Sequence, residues 1–245
     1  MSAALVILLS VVGAIVLSMP VYALTRGGQR DADAERKGSR FLLGVGDFLI
    51  HWFMWAISPL ERVLLKMGAT PDHMNVGGVL FGLLSGVLIG LGHLEAGGWS
   101  IALAGVCDIL DGRLARAQKL ASPYGKFIDS TLDRFVETFA FLGFAVYFHD
   151  QALGAFIVAA GLGGSLLVSY AQARGETVGV TGSGGLMQRA ERLVLTILGC
   201  LLDPPITKAM GWPEGTVLLW VLGLIAAGSM GTAIYRTIWI ARRLD

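Results

Sequence analysis

Asp108, Asp111, Asp129 and Asp133 fall in two pairs, three and four residues apart, inside stretches that are otherwise apolar. On helices, each pair would occupy a single face. A carboxylate at the centre of a membrane helix costs about 2.5 kcal/mol or more, so four of them require compensation. One source is local: Arg113, Arg116, Lys126 and Arg134 lie close in sequence, and headgroup water is the other bland partner. Four acids at two helical spacings, with glycines beside them, point instead to shared binding of a hard divalent ion, Mg²⁺ or Mn²⁺, through oxygen. Two such ions clamp a pyrophosphate and stabilise both the entering and leaving oxygens of an in-line displacement. Leu120-Ala-Ser-Pro-Tyr-Gly125 has the turn chemistry to fold the two acidic segments into a hairpin.

The other candidate chemistries recede. His51, His73, His93 and His149 have no ligand spacing, and Cys107 and Cys200 sit in apolar runs as small buried hydrophobes. The chain is 54% hydrophobic and 15% charged, with mean hydropathy +0.67 and a net charge of +1. So apolar a chain has lipid as its solvent, and its charge gives no footprint for nucleic acid.

The elements that must position the aspartates are therefore membrane helices. Ala3–Leu24 reads as a spanning anchor: it lacks a basic leader, and its basic residues follow it. A polar segment runs from Thr25 to Arg40. Leu42–Met67 mixes apolar and charged residues and fits an amphipathic helix in the interface, with Trp52 and Trp55 at headgroup depth. Further spans are expected near 74–92, 99–118, 126–148, 153–173, 189–206 and 215–240. Their connections alternate between basic and nearly charge-free, which directs the basic set to the cytoplasm. The expected fold is all-α and integral to the membrane: a six-helix transmembrane core, an interfacial helix and an extra N-terminal transmembrane helix. Residues 1–40 form the anchor and linker, and 41–245 the membrane domain. Gly78, Gly82, Gly86 and Gly90 stripe one helix face, as expected of a tight seam inside the bundle or between subunits.

The run Asp108-Ile-Leu-Asp111-Gly112-Arg-Leu-Ala115-Arg116, followed by Gly125-Lys-Phe-Ile-Asp129-Ser-Thr-Leu-Asp133, closely resembles the signature of CDP-alcohol phosphotransferases, with every fixed position matched. The resemblance covers about residues 45–240. It implies a six-helix core, often a homodimer, in a bacterial inner membrane with a cytoplasm-facing site that uses two divalent ions, Mg²⁺ or Mn²⁺. Asp108, Asp111 and Asp129 are then metal ligands. Asp133 is the general base, also close to the metal. Gly112, Ala115 and Gly125 make room for the nucleotide, and Arg116 contacts phosphate or anchors to headgroups. Asn75, in Thr70-Pro-Asp-His-Met-Asn75, resembles a second nucleotide element with departures at Asp72 and Asn75 itself.

The acceptor is less sharply marked. Arg134 after the last aspartate and Ser169-Tyr-Ala-Gln-Ala-Arg174 are similar to the branch that makes phosphatidylinositol phosphate, where two arginines hold the acceptor's phosphate. Tyr124 stands where that branch often has a lysine, with Lys126 two residues on. Arg189 and Arg192 also fit the family pattern, and the simpler reading makes them helix caps or headgroup ligands. The expected reaction moves a phosphatidyl group from CDP-diacylglycerol to inositol phosphate, glycerol 3-phosphate or another small alcohol. An ion-coupled transporter also uses intramembrane acids, but it calls for mid-bilayer placement and related halves, and no repeat is evident. A glycine-seamed scaffold leaves the aspartates unexplained.

Overall fold

The structure, a computed structural model, describes residues 3–26, 45–182 and 184–244. Eight helices and no strand occur among the described residues: α1 (Ala3–Arg26), α2 (Val45–Lys66), α3 (Pro71–Gly90), α4 (Leu94–Ala117), α5 (Pro123–Tyr147), α6 (Ala152–Thr177), α7 (Arg189–Met210) and α8 (Thr216–Ala241). The linker expected up to Arg40 lies outside the described residues from position 27 onward, as do the first residues of the expected interfacial helix. The described residues group into two units, one of residues 1–74 with 109–122 and one of 75–108 with 123–245.

In the first unit α1 packs on α2. Trp52 donates its indole N–H to Ser18 at 2.9 Å, and the Tyr22 ring meets those of Phe48 and Trp55 at 5.6 Å. The two tryptophans expected at headgroup depth thus both take part in the contact with α1. The later turns of α4 are fastened to α2 through Arg113, which donates to Glu61 Oε2 at 2.6 Å and reaches Met54 O and Ser58 Oγ at 3.4 Å. The chain enters α3 through Thr70, whose hydroxyl and backbone N–H both meet His73 Nδ1, at 2.7 and 3.1 Å, with Pro71 in the first helical position.

The second unit is built on the α3 glycines. A Cβ at Gly82 would fall 2.9 Å from Val136 Cγ2, and one at Gly86 would collide with the Phe139 carbonyl oxygen. One at Gly143 would collide in turn with the Gly86 carbonyl. Gly90 faces Val146, while Gly78 faces Cys107 on α4. The stripe is thus an intramolecular seam that brings α5 against α3 at backbone distance. Below it lies a core of Ile89, Leu94, Phe141, Phe144, Phe148 and Leu222, all nearly inaccessible. Helices α6 and α8 approach closely where Gly164 meets Ser229.

One boundary differs from the sequence expectation: the span expected near 189–206 continues through Pro204 and Pro205 to Met210 and stops at Gly211 in the left-handed conformation, φ 68°. Asp203 is fully buried, and its carboxylate accepts the backbone N–H groups of Gly215 (2.8 Å) and Leu218 (3.0 Å) at the start of α8.

Four helices, α3, α6, α7 and α8, are long and apolar enough to cross a membrane. Outward-facing leucines and valines such as Leu80, Leu83, Val87, Leu167 and Leu224 present apolar surface on them. Helices α4 and α5 have sufficient length, 24 and 25 residues. Their apolar character is broken by the acidic and basic residues singled out from the sequence.

Candidate active site

Helices α4 and α5 carry the four aspartates in the middle of regular helix, so spacing along the chain converts directly into facing. On α4, Asp111 follows Asp108 by one turn. In the second unit, Asp108 and Asp129 also present carboxylate oxygens within 4.8 Å. Two oxygens on opposite sides of one Mg²⁺ at about 2.1 Å are separated by nearly that span. The donor set is all oxygen: Cys107, the adjacent thiol, packs toward Gly77 and Gly78. These residues fit a hard divalent cation. Asp133, one turn beyond Asp129, has its side chain only 11% exposed.

A cation already meets these acids. Arg189, the first residue of α7, donates from Nη1 to both oxygens of Asp108 at 3.1 Å and pairs through Nη2 with Asp133. Arg192, one turn on and buried, donates to Glu137 at 2.7 and 3.2 Å and to Met187 O at 3.3 Å. The cap or headgroup role expected for both arginines is thus corrected: each turns onto an acid of the second unit. Arg189 and Arg192, three apart, and Asp133 and Glu137, four apart, are each spaced by about one helical turn, and this was the clue available in the sequence.

The remaining candidates are placed as follows. Arg134 bonds back to the Ser130 carbonyl, with Nη1 3.7 Å from Asp133 Oδ2. It lines a cavity of about 500 Å³ between α5 and α6, together with Ser130, Thr131, Phe135, Ser169 and Tyr170. Arg174, near the end of α6, is exposed, and its neighbour Ala173 rather than Arg174 lines that cavity. Gly112 leaves space that the Arg116 guanidinium occupies, 3.2 Å from where a Cβ would be. Ala115 and Gly125 are half-buried, Arg116 is exposed, and Asn75 is half-buried three residues ahead of the Gly78 contact with α4.

Comparison with known proteins gives this geometry a context. The sequence profile of CDP-alcohol phosphatidyltransferases matches residues 69–226. Phosphatidylinositol phosphate synthase of Corynebacterium glutamicum is 35% identical over 194 residues, 74% of this chain and 82% of that protein. The Streptomyces avermitilis enzyme of the same name is 32% identical over 202 residues, 78% and 80% of the two chains. Among solved structures, phosphatidylinositol phosphate synthase of Mycobacterium tuberculosis with CDP-DAG bound superposes with a TM-score of 0.65 at 28% identity. The match covers 74% of this chain and 92% of that one. The same enzyme with manganese and citrate gives 0.65 at 29% identity, covering 74% and 88%. A divalent-metal site, several membrane crossings and the transferase chemistry go together in this group: the chain is a multi-pass, metal-dependent membrane enzyme that belongs to the CDP-alcohol phosphatidyltransferase family.

Proposed function

We propose that this enzyme transfers the phosphatidyl group of CDP-diacylglycerol to inositol phosphate and releases CMP. The observation that carries this reading is the convergence of Asp108 and Asp129 on two different helices, with Asp133 one turn further along α5 and Arg134 beside it. The names of the relatives and the CDP-DAG complex of the mycobacterial enzyme support the two substrates.

Asp108, Asp111 and Asp129 would hold the divalent metal, Mg²⁺ or Mn²⁺, as a pair of ions in the fuller version of the reading. When bound, the metal neutralises charge on the pyrophosphate so that CMP leaves more readily. Asp133 takes the proton from the acceptor hydroxyl as that oxygen forms its bond to the β-phosphorus and the bond from that phosphorus to the CMP oxygen breaks. Gly112, Ala115 and Gly125 leave room for a nucleotide, which Asn75 and Arg116 contact. Arg134 and Arg174 hold the acceptor's phosphate, because guanidinium groups match a dianion and orient its hydroxyl toward the base. The cavity beside Arg134 is large enough for a ring polyol and its phosphate.

The architecture proposed with this function has six core spans, α3 to α8. Helix α2 lies in the interface, and residues 1–40 form a separate anchor and linker ahead of the 41–245 domain. The active unit is a homodimer in a bacterial inner membrane, with the aspartates facing the cytoplasm. Glycerol 3-phosphate is the acceptor to test against inositol phosphate. Purified protein given CDP-diacylglycerol and Mg²⁺ or Mn²⁺ should release CMP with inositol phosphate well above its rate with glycerol 3-phosphate, free inositol or serine. Faster release with one of the others reassigns the acceptor. Metal-independent release, or solute flux without release, overturns the reading.

A further inference from the structure

We infer that Arg189 is the resident counter-cation of the metal site, and that metal entry displaces its guanidinium from Asp108 and Asp133. This rests on the reading that a divalent ion binds these aspartates. Both oxygens of Asp108 are occupied by one guanidinium nitrogen at 3.1 Å, and the other terminal nitrogen is on Asp133. Those are the lone pairs a metal ligand and a general base must offer. A guanidinium and a divalent cation bringing like charge to the same oxygens repel one another, so the two exchange rather than coexist.

Two further features make the exchange local. Arg189 opens α7, where the helix dipole disfavours a cation. The carboxylates therefore hold it against its own helix, and nothing in α7 retains it once they turn to metal. Arg192, by contrast, stays on Glu137 and the Met187 carbonyl, both independent of the four aspartates. The helix remains anchored while a single side chain, 36% exposed, swings away. The same departure uncovers the Asp133 oxygen needed for proton abstraction, so Arg189 couples metal loading to readiness of the base.

Mn²⁺ binding to the purified full chain in detergent, read from the loss of the free-Mn²⁺ EPR signal, tests this without turnover. Arg189→Gln should bind Mn²⁺ about tenfold more tightly than wild type, the effect of removing one competing charge-assisted contact. Asp129→Asn should bind far more weakly than either. Binding that ignores Asp129→Asn removes the metal reading itself. Binding that depends on Asp129 but is unchanged or weakened in Arg189→Gln overturns the displacement alone. A wild-type readout covers the case of a misfolded variant: phenylglyoxal labelling mapped by mass spectrometry. Mn²⁺ should speed modification of Arg189 severalfold and leave Arg192 unchanged; an Arg189 rate that stays constant or falls overturns the inference.

Discussion

Gly86→Ala tests whether the glycine seam positions the chemistry or merely packs the bundle. The new Cβ would stand 3.0 Å from the Phe139 carbonyl carbon and closer still to its oxygen, where ordinary contact begins at 3.4 Å. Backbone cannot rotate away as a side-chain end can, so α5 must retreat from α3 by about 1 Å, a form of overpacking that costs about 1–3 kcal/mol. That retreat moves the helix bearing Asp129 and Asp133 and opens the Asp108–Asp129 separation. A misplacement near 1 Å at reacting groups lowers turnover by about 10²-fold. The assay is CMP release at saturating substrates, paired with thermal unfolding in detergent. Gly163→Ala on α6 is the control, since nothing lies within 4 Å of a Cβ there. Wild-type turnover in Gly86→Ala, whatever its melting temperature, refutes the claim that the seam sets the site.

Asp133→Asn should reduce CMP release by at least about 10²-fold while CDP-lipid binding, measured by isothermal titration, stays near wild type; retained turnover removes the base assignment. Arg134→Ala and Arg174→Ala should each raise the apparent KM for inositol phosphate about tenfold with a smaller change in kcat, read from acceptor titrations of CMP release; unchanged KM in both removes the anionic-acceptor subsite. Arg192→Met leaves Glu137 without its buried cation and should cost about 3–5 kcal/mol in unfolding, and the double change Arg192→Met with Glu137→Leu should recover most of it. A double variant no more stable than the single would show that the pair is not what α5 and α7 share.

The aspartates were legible because their meaning lies in residue type and spacing, both of which a helix preserves. The helices from α3 to α8 were legible for a similar reason: the observed helices overlap all six expected stretches, and four of them, α3, α6, α7 and α8, are long and apolar enough to cross a membrane. What facing helices do to one another was not legible. Arg189 and Arg192 carry a helical spacing that matches acids on α5, but spacing along one helix does not name the helix opposite, so they read as headgroup ligands. The glycine stripe showed that something approaches α3 closely without showing that α5 does. The last turn of α7, beyond position 206, was not legible either. A proline lacks its own N–H yet keeps a helical φ, and α7 runs through both.

The carboxylate of Asp203 gives α7 and α8 a bond that is local to their own connection. Inserted alone, α7 would bring a bare carboxylate to its far end, and α8 would arrive with the N–H groups of Gly215 and Leu218 unanswered. In hydrocarbon each such orphan costs several kcal/mol. Entering together, the pair cancels both debts through a turn of only a few residues. By this reasoning α7 and α8 suit lipid better as a hairpin than as two helices entering separately.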